Sequence, residues 1–273
     1  MKPNARSYLF VPGNRPERFD KAVASAADVV VIDLEDAVAA SAKGEARDRV
    51  MHWSAQLDAP TLDRIALRIN DPQSEPFLED LRLVRESRVL QVMLPKAEHA
   101  EHVDALVSAV PGVSVLPLLE TARGLAHCRA IAGASGVVRL VFGTLDFALD
   151  LELDIADDLQ PLAEAAASIT LASRLAQLAA PVAGVTPQID DEARLLADWS
   201  WFWRRGFGAK LCIHPCQIAP LHVAMAPDAA SLAWARRVVA ADAAGTGAAS
   251  VDGQMVDRPV VLRALRMLRR AGL

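Results

Sequence analysis

The chain has 273 residues, of which 52% are hydrophobic and only 5% aromatic, and its net charge is −5. This length accommodates one large domain or two small ones, and single β/α barrels commonly reach it. An interior built mainly from Ala, Val and Leu favours helices packed on parallel strands over an all-β sandwich. The acidic balance gives no reason to expect nucleic acid as a partner.

The N-terminal residues and the cysteines indicate the cellular compartment that we expect for the protein. The first residues contain no apolar stretch before a cleavage site, and no apolar run approaches the roughly 18 residues of a membrane span. Cys128, Cys212 and Cys216 form no CxxC pair, which fits a reducing environment. We therefore expect a cytoplasmic protein without membrane contact.

Eight short apolar runs recur along the chain, and a stretch of helical composition follows each. The runs are Ser7–Val11, Val29–Leu34, Arg64–Ile69, Val89–Leu94, Val113–Leu119, Val137–Phe142, Val182–Val185 and Lys210–Ile213. The helical stretches are Pro16–Ala27, Lys43–Leu57, Phe77–Arg85, Glu98–Val110, Ala122–Ala132, Leu162–Ala179, Asp191–Arg205 and Pro215–Val223. Continuous apolar strands that alternate with helices indicate a parallel sheet. Eight such units predict an α/β fold, a TIM-type (β/α)8 barrel, with an open sheet of six or seven strands as the alternative.

The C-terminal segment departs from this alternation. It contains a predicted helix at Asp228–Ala241, an Ala/Gly-rich link and a last helix at Pro259–Arg270. Pro259 stands where a first-turn proline belongs. We expect a barrel over residues 1–225 and a C-terminal extension over residues 226–273, which docks either on its own barrel or on a neighbouring subunit.

Polar side chains follow most of the apolar runs. They include Arg15, Arg18, Asp33, Glu35, Asp36, Arg68, Asn70, Lys96, Glu120, Asp146 and His214. In a β/α barrel the active site lies at the carboxyl ends of the strands. The sequence therefore predicts a charged active-site rim at that end.

Glu120 and Asp146, here called the carboxylate pair, follow adjacent predicted strands. Glu120 ends the apolar run Val113–Leu119, where a buried charge requires a partner or a cation. Taken singly, each residue is equally explained as a helix N-cap or a surface carboxylate. Together they can hold one divalent cation, and ligation by oxygen alone suits Mg²⁺ or Mn²⁺.

Arg68 lies on a predicted strand, where its permanent charge requires an anion. One interpretation is a fork that grips a substrate carboxylate or carbonyl oxygen, and the other is a structural salt bridge to Asp33 or Glu35. Asp33, Glu35 and Asp36, here called the acidic cluster, are expected to support the site from behind the metal. Lys96 is expected to pair with the acidic cluster and is a candidate to contact the substrate.

A series of motifs extends over almost the whole chain. In order they are "FVPGNRPERFDKA", "DVVVIDLEDAV", "LRIN", "MLPKAE", "LLETARG", "FGTLDF", "KLCIHPCQ" and "DGQMVDRPVV". Together they resemble the citrate lyase β-subunit-like branch of the HpcH/HpaI aldolase family. The resemblance implies a β/α barrel with a C-terminal lid, assembled as a homotrimer or hexamer. It also implies Mg²⁺-dependent cleavage or formation of a carbon–carbon bond in a short 3-hydroxyacyl-CoA thioester such as malyl-, citramalyl- or citryl-CoA.

The resemblance also implies roles for individual residues. Glu120 of "LLET" and Asp146 of "FGTLD" would hold the metal, and Arg68 of "LRIN" would bind the α-keto acid. Asp257 of "GQMVD" would be an acid/base on the lid, which in relatives often comes from a neighbouring subunit. Arg15 near the first strand end is a candidate for CoA phosphates, with simple surface charge as the equal alternative.

Two positions depart from the family pattern, and three other functions stay open. Leu145 and Ala183 stand where many relatives carry acidic residues. The loss of these acidic residues would alter hydrogen bonds around the metal ligands and hence substrate choice.

The first alternative function is that of a thioester hydrolase with the same metal site. The second is a subunit of a citrate lyase complex that acts on a carrier-protein thioester, and the third is a charged rim that binds another protein.

Overall fold

The structure is a computed structural model that describes residues 5–244 and 250–271. The chain forms two compact units, one that ends at Leu221 and one that begins at His222. The predicted boundary lay after residue 225. Part of the predicted Ala/Gly-rich link, residues 245–249, lies outside the described residues.

Eight parallel strands form a closed barrel in chain order. They are β1 (Ser7–Pro12), β2 (Val29–Asp33), β3 (Ile65–Arg68), β4 (Gln91–Leu94), β5 (Ser114–Leu119), β6 (Val141–Phe142), β7 (Val182–Ala183) and β8 (Ala209–Cys212). Because β1 pairs with both β2 and β8, the sheet has no free edge. The predicted TIM-type barrel is confirmed, and the open-sheet alternative is wrong. The predicted run Val137–Phe142 forms only a two-residue strand.

Helices follow the strands. They are α1 (Phe19–Val23), α2 (Lys43–Ser54), α3 (Ala59–Leu62), α4 (Phe77–Ser87), α5 (Ala100–Ala109), α6 (Ala122–Ala126), α7 (Cys128–Gly133), α8 (Thr144–Asp150), α9 (Ala163–Leu175), α10 (Glu192–Trp203), α11 (Ile218–Met225), α12 (Ala229–Ala243) and α13 (Arg258–Arg270). Short 3₁₀ turns lie at Pro16–Arg18, Ala40–Ala42, Gln160–Leu162 and Pro215–Gln217. The sequence did not predict α8, and the predicted helix Ala122–Ala132 is divided into α6 and α7.

Apolar side chains from every strand fill the barrel interior. The buried members of this core are Ala5, Tyr8, Val29, Val31, Ala66, Met93, Leu116, Leu118, Val141, Val182, Ala209 and Leu211. Alternate positions on a strand face opposite sides of the sheet, so these residues point inward while their neighbours face the helices. The interior is therefore filled by apolar side chains.

The second unit has a small core of its own. Helices α12 and α13 pack on a short hairpin of β9 (Ser250–Val251) and β10 (Gln254–Met255), which the sequence did not predict. Its buried residues are Ala235, Val238, Val251, Val261 and Ala264. Within residues 5–244 and 250–271, no helix is both long and apolar enough to cross a membrane.

Candidate active site

The carboxylate pair lines a cavity of about 350 Å³ at the carboxyl ends of the strands. Its walls are formed by Phe10, Pro12, Asp33, Asp36, Ala37, Arg68, Leu118, Glu120, Gly143, Thr144, Leu145, Asp146, Val185, Leu211 and Ile213. The residues come from the ends of seven strands or from the segments that follow them. The structure thus brings together the carboxylate pair, Arg68 and two members of the acidic cluster.

Glu120 directly follows β5 and is only 3% exposed. Its Oε1 accepts a hydrogen bond from the backbone N–H of Lys96 at 2.7 Å. A Cβ atom at Gly143 would lie 2.7 Å from both Cβ and Oε2 of Glu120, so a glycine is required there for the carboxylate to fit. Burial, with repulsion from Glu35 and Asp146, raises the pKa of Glu120 to about 8.

Asp146 is exposed and lies in the first turn of α8, which begins at Thr144 after the short strand β6. The partial positive charge at a helix N-terminus favours a carboxylate at this position. Within the described residues, no lysine or arginine forms an ion pair with either member of the carboxylate pair. Glu120 is thus oriented by a backbone N–H rather than by a cationic side chain.

Arg68, at the end of β3, is surrounded by the acidic cluster. Its Nε and Nη2 donate to the two carboxylate oxygens of Asp33 at 2.8 and 2.6 Å. Its Nη1 lies 2.9 Å from Glu35 Oε2 and 3.5 Å from Asp36 Oδ2, and the guanidinium stacks over the Phe10 ring at 4.9 Å from its centroid. The salt-bridge interpretation is therefore confirmed, while Arg68 also reaches the cavity wall, where a ligand can approach it.

Lys96 pairs with the acidic cluster as predicted, since its Nζ lies 3.2 Å from Glu35 Oε1. Lys96 does not line the cavity that contains the carboxylate pair. It lines a neighbouring cavity of about 390 Å³. Burial raises the pKa of Glu35 to about 7, although Arg68 opposes the shift. Lys43 Nζ donates to the carbonyl oxygens of Leu34 and Glu35 at 2.8 and 2.9 Å, which fixes the loop after β2.

Arg15 and Asp257 lie in different units. Arg15 is exposed beyond β1, 4.0 Å from Glu17, and lines neither cavity. Asp257 is exposed and caps α13, its Oδ1 accepting the N–H of Val260 at 3.0 Å. The roles predicted for these two residues remain predictions.

The donor set of the carboxylate pair fits Mg²⁺. Among residues 5–244 and 250–271, no group of three or more His, Cys, Asp or Glu is arranged to hold a metal ion. Mg²⁺ does not require such a group, because it is commonly held by one or two carboxylates, with water and substrate oxygens completing the octahedron. One observation agrees with a cation here: the carboxylate of Glu120 is buried, and in the described residues it accepts a backbone hydrogen bond but forms no ion pair with a lysine or arginine.

Sequence reasoning missed several residues that shape this site. Gly143 gives room to Glu120, Lys43 fixes the loop after β2, and Gln217 holds the rim of β7 and β8. The glycine of "FGTLD", directly after a strand, was a recognisable signal. Nothing in the sequence pattern marked Lys43 or Gln217.

Residues 6–215 match the family described as HpcH/HpaI aldolase/citrate lyase. The chain is 37% identical to the citrate lyase subunit beta-like protein of Mycobacterium tuberculosis, covering 97% of this chain and 95% of that one. It is 31% identical to a (3S)-malyl-CoA thioesterase of Cereibacter sphaeroides, over 97% and 94% of the two chains. The structure of the M. tuberculosis protein CitE in complex with magnesium, acetoacetate and coenzyme A superposes with a TM-score of 0.88 at 37% identity, covering 99% of this chain and all of that one.

Proposed function

Because the chain belongs to the HpcH/HpaI aldolase/citrate lyase family, we propose that it is a Mg²⁺-dependent carbon–carbon lyase. Its substrate is a short 3-hydroxyacyl-CoA thioester, and its products are an α-keto acid and acetyl- or another acyl-CoA; the reverse condensation uses the same site. The observation that carries this proposal is that the carboxylate pair shares one cavity with Arg68. In the described residues, neither member of the pair forms an ion pair with a lysine or arginine.

The proposed chemistry assigns a distinct task to each residue. Glu120 and Asp146 hold the cation, and bound Mg²⁺ supplies Lewis acidity at the oxygens of the α-keto acid. Asp33 fixes the guanidinium plane of Arg68 through two hydrogen bonds, so Arg68 can share developing negative charge without reorganising. Asp257 is proposed to carry the proton at the carbon of the departing acyl-CoA.

Two further parts of the proposal concern binding and assembly. Arg15, exposed at the end of β1, is proposed to meet CoA phosphates, and Lys96 is proposed to contact the substrate beside the acidic cluster. The second unit is proposed to act as a lid that presents Asp257 to the site of a neighbouring subunit in a homotrimer or hexamer.

A second candidate function is hydrolysis of the same class of thioester. The thioesterase relative, at 31% identity over nearly the whole chain, favours it. The two reactions give different products. A lyase releases a keto acid and a shorter acyl-CoA, whereas a hydrolase releases free CoA and the intact hydroxy acid.

Mass-spectrometric product analysis tests the proposal. The purified protein is incubated with Mg²⁺, acetyl-CoA or propionyl-CoA, and a series of 2-oxo acids, and separately with malyl-CoA. Glu120→Gln is assayed alongside, with Asp157→Asn as a control that changes an exposed carboxylate outside the cavity. We expect a condensed acyl-CoA that requires Mg²⁺ and Glu120 and forms normally in the control.

Release of free CoA from malyl-CoA without any carbon–carbon product would replace the lyase with the hydrolase. Absence of both reactions, with Mg²⁺ still bound, would direct the search to a carrier-protein thioester. Absence of Mg²⁺ binding would contradict the proposed site itself.

A further inference from the structure

The segment that follows β5 is held from two sides by carboxylates that lie outside the cavity. We call residues 120–124 the β5 segment, and it begins with Glu120. Glu98 contacts this segment from the loop after β4, and Asp150 contacts it from the end of α8. Neither Glu98 nor Asp150 lines either of the two cavities described above. Both are therefore outside the proposed chemistry, yet they contact the residues directly after Glu120.

Helix α8 is attached to the chain on both sides of Glu120. At the start of the helix, the N–H of Gly143 donates to the carbonyl oxygen of Leu119 at 2.9 Å. At the end of the helix, Oδ2 of Asp150 accepts the N–H of Ala122 at 2.7 Å. Because Leu119 and Ala122 flank Glu120 in the chain, these two hydrogen bonds fix the whole of α8 relative to Glu120.

The place of Asp150 in α8 is explained by its contact with the β5 segment. Asp150 is the last residue of α8, where the partial negative charge of a helix C-terminus disfavours a carboxylate. Ala122 is the first residue of α6, where N–H groups without a partner in the helix favour a carboxylate. Asp146 and Asp150 are four residues apart and share one face of α8. That face presents one carboxylate to the cavity and the other to the β5 segment.

Glu98 holds the β5 segment on its other side. Its Oε1 accepts a hydrogen bond from the hydroxyl of Thr121 at 3.0 Å, and its Oε2 accepts one from Nη1 of Arg123 at 3.0 Å. Its carbonyl oxygen lies 2.8 Å from Nδ1 of His127, which donates to it. The Glu98 side chain is only 15% exposed, so its hydrogen bonds are largely shielded from water. One residue thus connects the loop after β4 to three residues beyond Glu120.

The loop that contains Glu98 also approaches the β5 segment through its backbone. The N–H of Lys96 donates to Oε1 of Glu120 at 2.7 Å. A Cβ atom at Gly124 would lie 2.8 Å from the carbonyl oxygen of Ala97, so the close approach requires a glycine. Glu98 therefore holds in place the same loop whose backbone N–H orients Glu120.

We propose, building on the magnesium site of the proposed function, that Asp150 and Glu98 are positioning residues that set the separation of the carboxylate pair. Asp150 fixes α8 and therefore Asp146, and Glu98 fixes the loop that holds Glu120. Mg²⁺ requires near-ideal octahedral geometry with ligands at about 2.0–2.1 Å, whereas Ca²⁺ accepts variable geometry with ligands at about 2.3–2.6 Å. Loss of either positioning residue should therefore weaken the binding of Mg²⁺ more than the binding of Ca²⁺.

Calorimetric titration with Mg²⁺ alone and with Ca²⁺ alone tests the role of Asp150. Asp150→Ala should weaken Mg²⁺ binding by about 10–100-fold, the loss typical of residues that orient metal ligands, and should weaken Ca²⁺ binding less. Asp150→Asn keeps an oxygen that can accept the N–H of Ala122, so this variant should retain most of the Mg²⁺ affinity. Glu152→Ala is the matched control, because it removes another exposed carboxylate just beyond the end of α8.

The comparison of the two Asp150 variants distinguishes positioning from charge. If Asp150→Asn bound Mg²⁺ as weakly as Asp150→Ala, the negative charge of Asp150 and not its hydrogen bond would attract the metal, and the positioning role would be wrong. Equal weakening in Glu152→Ala would lead to the same conclusion. The melting temperatures of the metal-free variants should stay close to that of the unaltered protein, because Asp150 is exposed.

The same titrations test Glu98. Glu98→Ala should weaken Mg²⁺ binding about tenfold and lower the ratio of Mg²⁺ to Ca²⁺ affinity, because both side-chain hydrogen bonds to the β5 segment are lost. Glu98→Gln keeps an acceptor for the Thr121 hydroxyl and should restore part of the affinity. Glu101→Ala, in the first turn of α5, is the control that removes an exposed carboxylate from the neighbouring helix.

Metal binding and product analysis together separate this proposal from the proposed function. Mg²⁺ binding that depends on Asp150 and Glu98, without any condensed acyl-CoA, would support the positioning roles and refute the lyase reaction. Normal condensation by Asp150→Ala and Glu98→Ala, with an unchanged ratio of Mg²⁺ to Ca²⁺ affinity, would support the lyase and refute the positioning roles.

Discussion

The two groups of carboxylates at the rim differ in how their charge is compensated. The acidic cluster surrounds Arg68 and reaches Lys96, so its charges are largely neutralised within the protein. The carboxylate pair has no ion pair with a lysine or arginine in the described part of the chain, and Glu120 is buried and held by a backbone N–H. The first group resembles a structural network, whereas the second leaves its charges open to the cation that we propose it holds.

The largest effect is expected from removal of the carboxylate pair. Glu120→Gln and Asp146→Asn should each reduce turnover by about a thousandfold or more, because a Lewis-acid cation supplies several kcal/mol of transition-state stabilisation. Mg²⁺ affinity, measured by calorimetry, should fall in parallel, while the unfolding free energy without Mg²⁺ should not decrease.

Asp157→Asn, in the exposed loop after α8, is the control for both variants. Normal Mg²⁺ binding by either Glu120→Gln or Asp146→Asn would locate the cation elsewhere and remove the contrast between the two groups.

Arg68→Met is the corresponding test of the acidic cluster. It leaves the buried Asp33 without its cation and the buried Glu35 with Lys96 alone, and such a loss typically costs about 3–5 kcal/mol of stability. Urea unfolding near neutral pH measures the change. The double variant Arg68→Met with Asp33→Asn should recover part of the loss, because it removes one unpaired charge. A stability within about 0.5 kcal/mol of the unaltered protein would show that the acidic cluster does not depend on Arg68.

The third prediction concerns pH. Burial raises the pKa of Glu120 from its ordinary value of 4.5 to about 8 in the folded chain. The folded state therefore binds more protons than the unfolded state between these values, and the metal-free protein should lose stability as pH rises from about 4.5 to about 8. Mg²⁺ must displace the proton from the Glu120 carboxyl group. The affinity of the protein for Mg²⁺ should therefore rise by up to tenfold per pH unit below about pH 8.

Melting temperatures with and without Mg²⁺ measure how much the bound metal stabilises the protein. The difference between the two temperatures should widen with increasing pH. The melting temperature of Glu120→Gln should fall less over the same range than that of the unaltered protein, and the remaining fall comes from Glu35, whose pKa burial also raises. A stabilisation by Mg²⁺ that does not change with pH would indicate that Glu120 is already ionised before the metal binds.

The barrel was predictable because its signals are local. The continuous apolar strands Val29–Asp33 and Ser114–Leu119 follow from burial on both faces of a parallel sheet. The first ends on the carboxylate of Asp33, and Glu120 directly follows the second. Helix α8 was missed because "TLDFALD" begins immediately after a short apolar run, and periodicity alone cannot separate the two.

Side-chain partners were less predictable than the elements that carry them. Strand order brings Arg68 beside Asp33, since the two residues are directly paired between β2 and β3, and the sequence predicted that contact as an alternative. The left-handed backbone of Lys96 and its hydrogen bond to Glu120 depend on tertiary packing around a lysine that carries no turn signal.

Lys96 connects the two groups of carboxylates, so it gives the smallest but most discriminating test. Its side chain pairs with Glu35, whereas its backbone N–H holds Glu120, and its φ of 45° lies in the left-handed region that favours glycine. The ion pair between Lys96 Nζ and Glu35 is partly exposed. Its removal in Lys96→Ala should therefore lower the free energy of unfolding by less than about 1 kcal/mol. Lys96→Gly, measured by urea unfolding, should be more stable than Lys96→Ala by roughly 0.5–1 kcal/mol, because only glycine relieves the backbone strain.

Arg88 is the matched control, since it is exposed, has a φ of 62° and ends α4 away from the site. The stability difference between alanine and glycine should be similar at positions 88 and 96. Mg²⁺ binding should respond only at position 96, where loss of the Lys96 charge should tighten it a few-fold by removing a competing cation near Glu120. If Lys96→Ala instead abolished Mg²⁺ binding, the Lys96 side chain and not its backbone would orient Glu120. The acidic cluster and the carboxylate pair would then depend on the same side chain, and the proposed distinction between them would be wrong.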